Sequence, residues 1–154
     1  MTKTPVEKAF TIDTSSIKFG PGITNEAGFE LSRLAAKRVM VVTDRKMVDS
    51  HAVKSATESL RREGIDHTIF DQVSIEPTDD SLKNAISFAI EGKFDGFLPV
   101  GGGSSIDTAK AANLYSTYPG DFLEYVNAPI GKGTPVPGDL KPLVAVPTTI
   151  GTGS

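Results

Sequence analysis

The run Gly101-Gly102-Gly103-Ser104-Ser105 stands between two segments of opposite character. Before it, Phe94 to Val100 is apolar and suits a buried strand. After it, Ile106-Asp107-Thr108-Ala109-Lys110 suits the opening of a helix. Glycines let a backbone approach a ligand closely and take conformations that a Cβ forbids. A helix that starts here turns unpaired N–H groups and the positive end of its dipole toward an anion. Ser104 and Ser105 add hydroxyl donors. The chemistry that follows is a phosphate or pyrophosphate cradle at the C-terminal edge of a parallel sheet. A tight turn with a serine cap is the plainer reading. The spacing is not the G-x-G-x-x-G fingerprint, because Ile106 holds the last glycine position. Gly131-Lys132-Gly133-Thr134 is not a P-loop either: Val126 replaces the first required glycine, and Pro135 follows where a helix should begin.

Other residues can join such a cradle. Asp44 follows the apolar run Val39-Met40-Val41-Val42, where a carboxylate can accept from a ribose diol and repel a 2′-phosphate, favouring NAD over NADP. A turn or helix-cap role suits it equally. Asp107 can serve a cofactor or stabilise its own helix start. Thr148, Thr149 and Thr152 follow another strand-like run, Leu143 to Val146, and can line the same crevice. Metal and acid–base chemistry are sparse. His51 and His67 are far apart, with no second histidine or carboxylate at ligand spacing. No nucleophile–base pair is evident, so no catalytic or metal-ligating residue is assigned.

The elements that would position these residues alternate. Strands are expected at Val39–Val42, Thr68–Phe70, Phe94–Val100 and Leu143–Val146, near-continuous apolar runs of the kind covered on both faces. One or two edge strands are expected within Phe10 to Phe19, closed by Gly20-Pro21-Gly22. Helical faces are read in Ala27, Leu31, Leu34 and Ala35; in Val53, Ala56 and Leu60, with Gly64 as a stop; and in Leu82, Ala85, Ile86, Ala89 and Ile90. The last is preceded by Thr78 as N-cap, with Asp79 and Asp80 in the first turn. From Pro119 to Pro142 a short helical piece near Phe122 to Val126 and a long loop are expected. Strand–helix alternation implies an α/β fold with a parallel sheet and flanking helices.

Composition narrows the class. The chain has 154 residues, 38% of them hydrophobic, which suits one folded domain with its own core. A net charge of −3 offers no basic face for nucleic acid. No apolar run approaches the roughly 20 residues that span a bilayer. The first ten residues are neither a secretory signal nor an Arg-rich organelle presequence. Cysteine is absent, so disulfide and thiolate chemistry are excluded. A cytoplasmic location is expected, or the mitochondrial matrix for a mature eukaryotic form.

Taken together, Phe19-Gly20, Val42-Thr43-Asp44, Gly101 through Lys110 and Val146-Pro147-Thr148-Thr149-Ile150-Gly151-Thr152-Gly153-Ser154 resemble the iron-containing alcohol dehydrogenases. Glu76-Pro77-Thr78-Asp79, Lys110-Ala111-Ala112-Asn113-Leu114-Tyr115, Asp121-Phe122-Leu123-Glu124-Tyr125-Val126 and Ala128-Pro129-Ile130-Gly131-Lys132-Gly133 are similar to its hydroxyacid-oxoacid transhydrogenase branch. The resemblance implies a Rossmann-like N-terminal domain, related to that of dehydroquinate synthase, which binds NAD. It further implies a helical C-terminal domain in which one Asp and three His hold a divalent metal, Fe or Zn. Those ligands map to no residue here. The expectation is therefore that residues 1–154 are the N-terminal NAD-binding domain, truncated at its C-terminal end and inactive alone.

On this resemblance the cofactor residues are Asp44, Gly101, Gly102, Gly103, Ser104, Ser105, Asp107, Thr148, Thr149 and Thr152. The implied reaction of the parent protein is hydride transfer between a hydroxyacid such as 4-hydroxybutyrate and an oxoacid such as 2-oxoglutarate. Its implied partners are those small molecules and further copies of itself, with no nucleic acid and no membrane. Two departures stand out: Ile150 replaces a common Ser, and no Glu follows the final Gly-Ser. Glycerol dehydrogenase, a dehydroquinate synthase-like enzyme and a non-catalytic nucleotide-binding module remain as alternatives.

Overall fold

A computed structural model of the chain describes residues 15–149. The elements run α1 (Ala27–Arg33, after a 3-10 turn at Ile23–Glu26), β1 (Arg38–Val42), α2 (His51–Arg62), β2 (Asp66–Phe70), α3 (Asp79–Gly92), β3 (Gly96–Gly101), α4 (Gly103–Thr117) and β4 (Val146–Pro147). The strands form one parallel sheet in the order β2-β1-β3-β4. The expected α/β fold with flanking helices is what the chain adopts.

Strand alternation sorts the core into two layers. Val39 and Val41 of β1, with Leu98 and Val100 of β3, pack against Leu31, Val53, Ala56 and Leu60 of α1 and α2. Met40, Val42 and Phe97 point the other way, against Ala85 and Ala89 of α3 and Ala109 and Ala112 of α4. Both faces of the sheet are thus covered, which is why these runs read as continuously apolar.

Helix ends follow local chemistry. Ser50 caps α2 by accepting from the Val53 amide at 3.3 Å. Thr78 and Ser81 form a reciprocal capping box at the start of α3. Gly64, at φ 67°, closes α2: its amide bonds Arg61, and that of Ile65 bonds Leu60. This is the Schellman closure, with Leu60 and Ile65 packed in the core. Helix α1 ends the same way around Ala35 (φ 63°), with Ala36 bonded to Leu31.

Five expectations are corrected. Leu34 and Ala35 do not share the inner face of α1, because that closure turns the chain and leaves both exposed; Ala36 is buried instead. In α3, Ile90 is exposed, whereas Phe88 packs between Phe70 and Phe94. Three aromatic rings in contact outweigh the simple i, i+4 spacing. Residues 122–126 form turns and not a helix. Their carbonyls are taken by the returning chain: Lys132 bonds Leu123, Gly133 bonds Val126 and Thr134 bonds Glu124. The Glu124 carboxylate also accepts from Lys132 and Thr134, which holds it below the usual carboxylate range.

The fourth correction concerns the last strand. Leu143 to Val146 is half-buried to exposed, and only Val146–Pro147 forms a strand, with a separate bridge at Leu143. Pro99 supplies the reason. Phe97 and Gly101 both face this segment: the Phe97 amide bonds Pro142, and the Gly101 carbonyl accepts from Thr148 at 2.9 Å. Pro99, midway between them, has no N–H to contribute, so the ladder is interrupted. Of the expected edge strands at Phe10 to Phe19, residues 10–14 lie outside the described residues. Residues 15–19 form no strand, and Lys18 is paired instead with Glu26 and Glu30 of the following helical segment.

Helices α1 and α2 meet closely at Gly28, where a Cβ would fall 2.3 Å from the Ser59 carbonyl oxygen. The Gly28 amide also donates to the Ser59 hydroxyl at 2.9 Å. Because the clash is with backbone, Gly28→Ala must push α1 away from α2. The expected loss is about 1–3 kcal/mol of unfolding free energy in a denaturant titration.

Candidate functional site

The strand order reverses between β1 and β3, since the chain goes from β1 outward to β2 and then returns to the far side of β1. The crevice beyond the carboxyl ends of two such strands is where open α/β sheets hold ligands. Here those ends are Val42-Thr43-Asp44 and Val100-Gly101-Gly102. They are tied together by Thr43, fully buried, whose hydroxyl donates to the Val100 carbonyl at 2.8 Å.

The glycine turn is built as its composition suggests. Gly101 ends β3, Gly102 is the N-cap of α4 and Gly103 is its first residue. A Cβ on Gly101 would meet the Ser105 side chain, Oγ at 2.4 Å and Cβ at 2.9 Å. The amides of Ser105 and Ile106 both turn back to the Gly102 carbonyl, at 3.0 and 3.2 Å. Among the described residues the amides of Gly103 and Ser104 have no protein acceptor, which is the donor pair a helix start leaves over.

The segment after β3's neighbour returns to the same place. Thr148 bonds the Gly101 carbonyl, and a Cβ on Gly102 would stand 3.2 Å from the Thr149 hydroxyl. Thr149 therefore walls the space that Gly102 leaves open. The structure thus brings Gly101 to Ser104, Thr148 and Thr149 together. Thr152 lies outside the described residues.

The two serines behave differently from the expectation of free hydroxyl donors. Ser105 is buried against Gly101. The Ser104 hydroxyl donates to the Ile75 carbonyl in a short contact. Asp107 is exposed and lies beyond the first turn of α4, so it does not act as an acidic residue at the helix start.

Asp44 sits two residues past Val42, and Gly101 sits two past its register partner Pro99, so both stand at the same level of the sheet. Asp44 Oδ1 accepts from the amides of Lys46 (2.8 Å) and Met47 (3.1 Å), an Asx-type turn that orients the carboxylate. The turn role and a ligand role are compatible, because a carboxylate has a second oxygen. Asp44, Arg45 and Lys46 form one side of an open cleft of 390 Å³ whose other side is Asp71 to Ile75. Ile75 is the residue held by Ser104, so the cleft adjoins the start of α4. Sequence reasoning missed residues 71–75. Their only signal is position, directly after a strand that neighbours the order reversal.

The two histidines stay apart from this site. His51 is the exposed first residue of α2, and His67 lies in the edge strand β2. No group of three or more His, Cys, Asp or Glu able to hold a metal occurs among the described residues. No helix among them is long and apolar enough to cross a membrane.

The residue pattern of the iron-containing alcohol dehydrogenases matches residues 14–154. The chain belongs to that family. Among its relatives, the mitochondrial hydroxyacid-oxoacid transhydrogenase of Bos taurus is 54% identical over 147 residues, covering 95% of this chain and 32% of the relative. Solved structures of similar fold include a 1,3-propanediol oxidoreductase, at 31% identity and a TM-score of 0.76, covering 86% of this chain and 34% of that one. A second is the NADH-dependent butanol dehydrogenase A of Thermotoga maritima, at 26% identity and a TM-score of 0.70, covering 75% and 29%. The chain spans about a third of the length of the curated relatives it matches. Membership of the iron-containing alcohol dehydrogenases agrees with the motifs at Gly101–Lys110 and Val146–Ser154, and likeness to the transhydrogenase branch with those at Glu76–Asp79, Lys110–Tyr115, Asp121–Val126 and Ala128–Gly133.

In this family member the Thr43 hydroxyl joins the two strand ends that form the crevice. Thr43→Val keeps the shape and removes the donor. The expected cost is roughly 1–3 kcal/mol in a chemical unfolding curve, the range for stranding a buried acceptor.

Proposed function

We propose that the chain binds NAD, as the nucleotide-holding N-terminal α/β domain of a hydroxyacid-oxoacid transhydrogenase. The observation that carries the proposal is the turn at Gly101–Ser104. It lies at the reversal of strand order, it has two amides without acceptors among the described residues, and Gly102 faces Thr149 across a space that a side chain would fill. Such a cradle fits a diphosphate: the helix start supplies donors and positive potential, and the missing Cβ supplies room.

The remaining assignments follow the direction in which a dinucleotide would lie. The amides of Gly103 and Ser104 hold the diphosphate, with Gly101, Gly102 and Ser105 setting the backbone that aims them. The hydroxyls of Thr148 and Thr149 hold the opposite side, and Thr152 is assigned beside them. The free face of Asp44 accepts from the ribose diol and disfavours a 2′-phosphate. The cleft between Asp44 and Ile75 is of the size that takes the nucleoside part of a ligand. Asp107 completes the proposed set from α4.

Bound NAD supplies the carbon that accepts and returns a hydride. What this chain contributes is binding and orientation. In the parent protein, a hydroxyacid such as 4-hydroxybutyrate loses a hydride and a proton to become the oxo compound. An oxoacid such as 2-oxoglutarate takes the hydride back with a proton, and the cofactor ends as it began. The name of the Bos taurus relative supports the mitochondrion as the location of the parent protein.

Calorimetric titration tests the proposal. The folded chain is expected to give binding heat with NAD at or below millimolar concentration. Gly102→Val, which fills the cradle, is expected to abolish that heat while its unfolding free energy stays within about 1 kcal/mol of the original chain. No heat from the folded original chain at millimolar NAD overturns the cofactor assignment.

A further inference from the structure

Asn113 is 2% exposed and lies on α4, well away from the glycine turn at the start of that helix. Its carboxamide is spent on the backbone of one residue in the long loop. Nδ2 donates to the Lys141 carbonyl at 2.8 Å, and Oδ1 accepts from the Lys141 amide at 3.2 Å. This paired contact with both backbone groups of one residue is what a neighbouring strand would provide. Thr117 supports it by donating to Asn113 Oδ1 at 3.2 Å and to the Asn113 carbonyl at 2.7 Å. The Lys141 side chain folds back as well, with Nζ 3.3 Å from the Ser116 hydroxyl and 6.0 Å from the centroid of Phe97.

Lys141 begins the stretch that ends at the cradle. From it the chain passes Pro142, which accepts from Phe97, then Val144, which donates to Phe97, then Thr148, which donates to Gly101. Pro99 leaves a missing donor in the middle of this edge. Residues 141–149 are therefore held by Phe97 and through Lys141 at their head and by the pairing of Val146–Pro147 with Val100 and Gly101 toward their foot, with one donor missing between. Register in such a segment matters, because a shift of one residue turns every side chain to the opposite face. It would carry Thr149 away from Gly102.

We propose that Asn113 is a positioning residue which sets the register of residues 141–149 and thereby holds Thr148 and Thr149 against the Gly101–Ser104 cradle. One helix thus presents the cradle at its first turn and fixes the cradle's opposite wall from further along its length. The consequence for NAD rests on the cofactor reading above; the effect on register does not.

The test compares amide hydrogen exchange and NAD titration in the same variants. Asn113→Leu keeps the branched shape and removes both contacts. It is expected to speed exchange at Val144 and Thr148 about tenfold or more, while the Thr43 amide, bonded to Phe70 on the other side of the sheet, changes less than about twofold. NAD affinity is expected to fall about tenfold. Pro99→Val restores the missing ladder donor, and adding it to Asn113→Leu is expected to return Thr148 to slow exchange.

Unchanged exchange at Val144 and Thr148 overturns the proposal. So does equal acceleration at Thr43 with no recovery on adding Pro99→Val, which would make Asn113 a general stability residue. Should Asn113→Leu not fold, Asn113→Ala, which removes both contacts to Lys141 and adds no bulk, is read by the same comparison of Thr148 with Thr43. Should the original chain bind no NAD, the cofactor reading falls and the exchange comparison still decides the role of Asn113.

Discussion

Strand β3 is paired along both edges and buried on both faces, and the rest of the architecture is arranged around it. Its Leu98 and Val100 serve one core layer and its Phe97 the other. Its start is fixed by Asp95, whose carboxylate accepts from the amides of Lys37 and Arg38 at 2.7 to 3.1 Å and so ties the chain entering β3 to the start of β1. Its end is fixed by Thr43 reaching the Val100 carbonyl. A strand held at both ends and on both sides gives the turn that follows it little freedom. That is the condition for aiming backbone amides at a ligand without reorganisation.

The same strand also explains the asymmetry of the sheet. Toward β1, whose register with it runs through four residue pairs, the ladder is continuous. Toward β4 it is broken at Pro99, and the outer segment is half-buried at best. The firm side carries Thr43 and Asp44; the weak side carries Thr148 and Thr149. The two sides of the proposed crevice therefore differ in how they are held, one by a complete ladder and the other by a short ladder with one donor missing. Asn113 supports that second side, and it compensates for what proline cannot donate.

Much of this was legible in the sequence. The apolar runs at Val39–Val42 and Phe94–Val100, the Thr78 cap and the Gly64 stop lie where the chain forms those features, because each depends on residues near in sequence. The glycine turn was legible for the same reason. What could not be read depends on contacts across the fold. The exposure of Leu34 follows from a helix closure around Ala35, a residue with no preference for φ above zero. The interruption of β4 is caused by a proline some 45 residues earlier, which speaks through a shared ladder and not through local propensity. The contribution of Asp71 to Ile75 appears only once β2 is known to flank β1. Engagement of Ser104 by Ile75 is likewise a long-range contact, and it takes from the ligand a hydroxyl that the motif alone had offered.

In the proposed function, the amides at the start of α4 hold the diphosphate of NAD. Its most direct test is a titration of the isotopically labelled chain with NAD, followed by amide nuclear magnetic resonance. Gly102, Gly103 and Ser104 are expected to shift first and furthest, with Asp44 and Thr148 moving at the same NAD concentrations and the α1–α2 layer unmoved. Shifts confined to other surfaces, or saturation with these amides unchanged, would contradict it.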